Sequence, residues 1–194
     1  MDDDLNYKGV SMTKLPESLK EPLLQWRENV LTGDGKQGLW VFGKRTAGTT
    51  YASQVIYKRM AFQEDRWDPP MTLTDAKRVM AIDLVELVRA SWQAAASIRQ
   101  YGDDFAVFTE AQSVQDRLFH LFYDLRLLWI DDLHHETIDW SIYRKNIQPY
   151  VERRVKMKMP TIVSTSLPPV HDFLPGKVIG THFITVYVKT DGAG

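Results

Sequence analysis

The chain has 194 residues, of which 44% are hydrophobic, 25% charged and 11% aromatic, the profile of one ordinary globular domain rather than a disordered or fibrous chain. It contains no cysteine, which excludes disulfides, thiolate zinc sites, iron–sulfur clusters and cysteine nucleophiles and accords with a reducing, cytoplasmic setting. A net charge of −1 and a pI near 6.5 confine any nucleic-acid site to a local patch.

Met1-Asp2-Asp3-Asp4 has no apolar run behind it, so no signal peptide is expected. No uninterrupted apolar stretch approaches the roughly 20 residues a membrane span needs. Residues 1–14 read as a flexible polar arm, 15–189 as a single domain and 190–194 as a tail. From Leu15 the pattern turns helical: Leu19, Leu23, Leu24, Trp26 and Val30 recur at helical intervals until Thr32-Gly33-Asp34-Gly35 stops the run. Gly38–Gly43 reads as a short buried strand. The polar loop 43–50 leads from it into a helix with Ala52, Val55, Ile56 and Met60 on one face. After the break at Asp68-Pro69-Pro70, Val79–Ile82 is expected to be a strand, and Asp83 to cap a helix reaching Ile98.

Ser113–Asp124 reads as another helix and Leu125–Ile130 as the clearest buried strand, ending at Asp131-Asp132. Asp139 to Met157 is amphipathic, with a kink expected at Pro149. Thr161–Thr165 and Phe183–Val188 complete a set of five strands. Strands alternating with helices point to an α/β fold, a five-stranded parallel sheet covered on both faces.

Two segments carry chemistry. Gly43, Gly48, Thr49 and Thr50 match the spacing of the phosphate-cradling template G-x-x-x-x-G-K-[ST], except that Thr49 stands at the lysine. In that template the lysine is the point charge that reaches the β- and γ-phosphates, and a threonine hydroxyl carries no charge. Thr50 keeps the position whose hydroxyl ligates Mg²⁺. Taken alone, the loop reads equally as an ordinary tight turn. About eighty residues later, Leu127-Leu128-Trp129-Ile130-Asp131-Asp132 has the form of a Walker B strand, in which the first acid holds Mg²⁺ and the second polarises the attacking water.

These two segments, with Trp140 and Met159-Pro160-Thr161-Ile162-Val163-Ser164-Thr165-Ser166-Leu167, resemble the AAA+ ATPase core of DnaC/DnaI-type helicase loaders and IstB-type transposition ATPases. The likeness runs in order from Leu15 to Lys189. It implies a P-loop three-layer sandwich, ATP or ADP with Mg²⁺ at the end of the first strand, and assembly between neighbouring copies. Gly43, Lys44, Arg45, Gly48, Thr49 and Thr50 would hold the nucleotide, Thr50 and Asp131 the metal. Asp131, Asp132 and Ser166 would form the catalytic set, with Ser166 where the family has its sensor-1 asparagine. No arginine follows Arg154, so the late arginines of the family have no counterpart here. An arginine finger alone is worth about 10³–10⁵ in rate, and these losses together predict slow or absent hydrolysis. Lys44 and Arg45 offer compensating charge inside the loop.

Beside these, His134-His135-Glu136 reads as a solvent-exposed loop rather than a metal site, because adjacent histidines do not converge as i, i+4 ligands do. Arg153, Arg154, Lys156 and Lys158 form a basic cluster suited to nucleic-acid phosphates, or equally to a solvated helix end. Trp67, Trp92 and Tyr101 are candidates for base stacking, with burial in the core as the alternative. The expected partner is a replicative helicase or helicase loader, with single-stranded DNA and a homo-oligomer as further possibilities. Three functions follow from the resemblance: a helicase loader or accessory factor of DNA replication, of phage or mobile-element type, that engages a replicative helicase; a pseudo-ATPase that inhibits or redirects a host helicase or loader by binding; or an IstB-like transposition helper. The 14 residues ahead of the core leave no room for a separate helicase-binding domain.

Overall fold

The computed structural model describes residues 10–44, 47–72, 74–101, 105–134, 139–168 and 174–189. Five strands form one sheet: β1 (Gly38–Gly43), β2 (Ala76–Met80), β3 (Leu127–Leu133), β4 (Thr161–Thr165) and β5 (Phe183–Val188). They run parallel in the order β2-β3-β4-β1-β5. Parallel strands need crossover helices, and these cover both faces.

One face buries α1 (Glu17–Thr32) and α2 (Thr49–Lys58). Leu23, Trp26, Val55 and Ile56 of these helices pack against Leu39, Val41, Trp129 and Ile162 of the sheet. The opposite face carries α3 (Ala81–Tyr101), α4 (Phe105–Phe119), α5 (Trp140–Ile142), α6 (Gln148–Lys156) and α7 (Gly176–His182). There Leu84, Val88, Phe122, Val151 and Ile179 meet Trp40, Leu128, Ile130 and Val163. Alternate residues of each central strand thus serve opposite cores, which is why β3 opens on the unbroken apolar run Leu127–Ile130. Among the described residues no helix is long and apolar enough to cross a membrane.

The sequence places four of the strands to within a few residues, and the differences have physical causes. β2 is Ala76–Met80 rather than 79–82, and α3 begins at once at Ala81. On this edge strand Lys77 is exposed and Arg78 and Val79 are half-buried, so its apolar signal is weak. α4 starts at Phe105, eight residues before the expected Ser113, and ends in a π turn over His120–Asp124. The stretch from Trp140 to Lys156 does depart from regular α geometry, in a π turn at Tyr143–Ile147 immediately before Pro149. The wider turn accommodates a residue that lacks an N–H and crowds the carbonyl four positions earlier. Residues 12–14, expected to be loose, form a turn capped by the Ser11 side chain, and the Lys58 ammonium reaches the Val10 carbonyl at 3.5 Å.

Asp139 caps α5: its Oδ1 accepts from the N–H groups of Ser141 and Ile142 at 3.1 and 3.3 Å. The Ser141 hydroxyl bond, first among the causes, and these amides hold its carboxyl below the ordinary 3.8. A carboxyl lowered on folding contributes stability above its unfolded pKa, and that contribution is lost as pH falls through the folded value. Asp139→Ala is expected to lower Tm by about 2–4 °C at pH 7. In thermal melts the difference from wild type should shrink as pH falls and the carboxyl takes up its proton.

Candidate functional site

In a parallel sheet all C-terminal strand ends share one edge, and ligands of such folds bind there. β1 ends at Gly43, from which the chain turns into α2. A Cβ on Gly43 would drive into the Val188 carbonyl oxygen and would lie 3.2 Å from Thr49 Cγ2, so β5 and the helix close on a position only glycine fits. Gly48 sits at φ 85°, where glycine bears no steric penalty. Its carbonyl accepts the first helical bond, from the Ala52 N–H at 3.0 Å. Lys44 is exposed at the head of the loop, and Thr49, at the lysine position of the template, is buried. Arg45 lies outside the described residues. A strand, a glycine-bounded turn and a helix N-terminus therefore stand in the order a phosphate cradle requires.

Thr50, in the first turn of α2, faces β3, and its hydroxyl donates to Asp131 Oδ1 at 3.3 Å. The Ser164 hydroxyl of β4 donates to the same oxygen and itself accepts from the Trp129 indole N–H at 2.8 Å. Asp131 Oδ2 is taken by Arg78 of β2, whose Nε and Nη2 donate at 2.9 and 2.5 Å. The guanidinium lies over the Trp129 ring, 4.7 Å from its centroid. Arg78 reaches this place because it shares a strand face with the buried Ala76 and stands opposite Trp129 in the sheet. Sequence reasoning missed Arg78. Its signal is positional: alternation from Ala76 puts it on the α2 face beside the acid.

The resemblance implies a divalent metal between Thr50 and Asp131, and the donor set tests that. A carboxylate offers about four lone-pair sites, and here two N–H and two O–H donors occupy Asp131, whose side chain is 1% exposed. An arginine already supplies the positive charge. In this arrangement Asp131 does not fit a metal ligand, and among the described residues no group of three or more His, Asp or Glu is placed to hold an ion.

Asp132 follows a different course. The ladder between β3 and β4 shifts register between Ile130 and Leu133, and Asp132 takes φ 57°. One extra residue on one strand is a β-bulge, which re-aims the side chains around it. Asp132 Oδ1 pairs with His134 Nε2, and His134 Nδ1 shares a 2.7 Å hydrogen bond with Ser166 Oγ. The turn bearing Ser166 is fixed by two bonds: the Leu167 N–H donates to Thr165 Oγ1 at 2.9 Å, and the Trp40 indole donates to the Leu167 carbonyl at 3.2 Å. His134 is thus no solvent-exposed loop residue, being 8% exposed. The bulge swings the end of β3 toward β4 and buries it. His135 and Glu136 lie outside the described residues.

The basic cluster requires correction. Arg154 is fully buried, donating to Thr161 Oγ1 and to the carbonyls of Phe122, Leu125 and Pro160 at 3.0, 3.3, 2.6 and 3.1 Å. Burial pushes its guanidinium down to about 9, and no nucleic acid reaches it. Arg153 lies over the Tyr123 ring, Lys156 pairs with Glu152, and Lys158 donates to the Gly33 carbonyl. Arg153 and Lys156 lie in the last turn of α6 and Lys158 in the turn that leads to β4, at the end of the sheet opposite the 43–50 loop. Arg153, Lys156 and Lys158 are exposed at this helix end, without Arg154. Trp67 is pinned by its indole bond to the Met60 carbonyl and by Arg126 over its ring. Trp92 is half exposed, and the side chain of Tyr101 lies outside the described residues.

Beside the loop lies a cleft of about 390 Å³ bounded by Lys14, Ala47, Gly48, Tyr51, Tyr187 and Lys189. A second cavity of about 400 Å³, at the β2 edge under α3 and α4, does not touch the loop. The first combines aromatic rings, lysines and the glycine turn, the composition expected for a planar group carrying phosphates.

No family model and no curated protein matches this chain. Among solved structures, DnaI superposes with a TM-score of 0.63 at 15% identity, covering 94% of this chain and 93% of its own. The DnaC helicase loader does so with a TM-score of 0.56 at 17% identity, covering 94% and 99%. The parallel order β2-β3-β4-β1-β5, with the glycine-bounded loop after β1 and the acidic end of β3, gives this chain a fold similar to that of DnaI and the DnaC helicase loader.

Proposed function

We propose that the chain is a replication protein of the helicase-loader type, which binds a nucleotide at the 43–50 loop, turns it over slowly if at all, and engages a replicative helicase or its loader. The observation carrying this reading is the superposition on a helicase loader over 94% of the chain. Impaired turnover is supported by Thr49 at the lysine position and by Arg78 on Asp131. Asp132, held by His134, is not free to polarise water. A second reading, in which the protein acts only by binding and redirects a host helicase or loader, is favoured by the same Arg78–Asp131 pair. The transposition-helper reading loses support with the withdrawal of Arg154 from the basic patch.

The test has three arms. Titration of labelled ATP and ADP should show binding that a Lys44→Ala, Arg45→Ala double variant weakens by about tenfold or more, as loss of charged phosphate contacts does. ATPase assays with and without single-stranded DNA should give near-background turnover; robust turnover abolished by Asp131→Ala would overturn the impaired-enzyme reading. Pull-down with replicative helicase or loader, with ATP present and absent, should recover a complex. Absence of any complex removes the loader assignment, and absence of any nucleotide affinity removes the nucleotide.

A further inference from the structure

Asp131 in this fold carries its counter-charge within the chain. Both donors of Arg78 fall on one carboxylate oxygen, at 2.5 and 2.9 Å, and the other oxygen accepts from Ser164 and Thr50. The guanidinium is held from below by the Trp129 ring at 4.7 Å, and that indole in turn donates to Ser164. Arg78 is therefore fixed by charge, by ring and by strand register, with 21% of its side chain exposed on the edge strand. Arginine is suited to this place: always charged, planar, weakly hydrated and able to stack.

We infer that Arg78 is the resident cation of the candidate site, standing at Asp131 where a divalent metal would neutralise the acid, so that a nucleotide polyphosphate binds here without Mg²⁺. The inference rests on the nucleotide reading proposed above, but the cation's place is testable without nucleotide. Three observations point the same way. The acid is saturated by protein donors. The loop lacks the lysine that otherwise brings positive charge, and Thr49 at that position is buried. The Arg78–Asp131 pair is charge-neutral and Thr50 already donates to its free oxygen, so no uncompensated carboxylate charge is left beside α2 to draw in a divalent cation.

The experiment compares wild type, Arg78→Gln and Arg78→Lys in MgCl₂ and in EDTA, by thermal melting without nucleotide and by titration of labelled ADP and ATP. Wild-type Tm should not respond to Mg²⁺, and its nucleotide affinity should change by less than about threefold on chelation, since no differential binding means no shift. Arg78→Gln leaves a buried carboxylate without its partner and should lose about 5–10 °C in Tm. Mg²⁺ should restore part of that loss, and nucleotide affinity should become Mg²⁺-dependent. Arg78→Lys, which keeps the charge, should fold and remain indifferent to Mg²⁺, so the comparison survives if Arg78→Gln fails to fold. Wild-type affinity that collapses by about tenfold or more in EDTA would overturn the inference while leaving the nucleotide reading intact. Mg²⁺ rescue of Arg78→Gln stability with no nucleotide bound by any variant would sink the nucleotide reading and keep Arg78 as the cation. Equal response of wild type and both variants to Mg²⁺ in melting would overturn it outright.

Discussion

Replacing Arg154 by alanine should destabilise the protein by about 3–5 kcal/mol. The guanidinium is fully buried, and it is the shared donor for the carbonyls of Phe122, Leu125 and Pro160 and for the Thr161 hydroxyl. These acceptors come from the end of the π turn after α4, the approach to β3 and the start of β4. A single side chain thus ties three chain segments together. Removing it takes a charged donor from each of these oxygens and opens a cavity. Chemical denaturation should show a lowered midpoint with an unchanged slope, the mark of lost stability in an intact fold. Arg154→Lys should recover only part of the loss, because an ammonium cannot span the same fan of acceptors. Were Arg154 a nucleic-acid contact instead, the alanine variant would melt like wild type.

Gly43→Ala should disrupt the head of the loop and with it any nucleotide binding. The new methyl would meet the Val188 carbonyl oxygen and the Thr49 methyl group. A backbone oxygen in a paired strand cannot step aside as a flexible side chain can. Overpacking of this kind costs about 1–3 kcal/mol, and relief requires β1 and β5 to part where Gly43 pairs with Val188. The variant should lower Tm by several degrees and weaken labelled-nucleotide binding by about tenfold or more. Gly48→Ala makes a useful contrast. Nothing crowds a Cβ at that position, and the cost is confined to its φ of 85°, so its Tm loss should be the smaller of the two.

The central strands were legible because burial on both faces leaves short runs without charge: Leu127–Ile130 is wholly apolar, and Thr161–Thr165 sets Ile162 and Val163 among small hydroxyl residues, all buried. The edge strand β2 was displaced by three residues because Lys77 and Arg78 interrupt its pattern. The acid at Asp131 was legible as a motif, whereas its partner was not: an arginine in an edge strand matches no template, and the contact spans 53 positions. Arg154 misled for the opposite reason. It lies in a run of basic residues, yet Val151, Arg154 and Val155 share the buried stripe of α6, a spacing visible in the sequence and outweighed there by charge. His134 could not be placed, because its burial depends on a bulge that side-chain identity does not announce.

That bulge has a consequence for how the paired acids are wired. Leu127 and Trp129 belong to the core beneath α1 and α2, Leu128 and Ile130 to the opposite core, and strict alternation would send Leu133 to the first of these. It lies in the second. The extra residue acts as a phase slip that reverses the parity of the strand between Asp131 and Leu133. Two neighbouring carboxylates are thereby assigned to separate circuits, one running through Arg78, Thr50 and Ser164, the other through His134 and Ser166. Substitutions in the two circuits should combine additively despite adjacency in the chain, so that each acid is free to vary without disturbing the other.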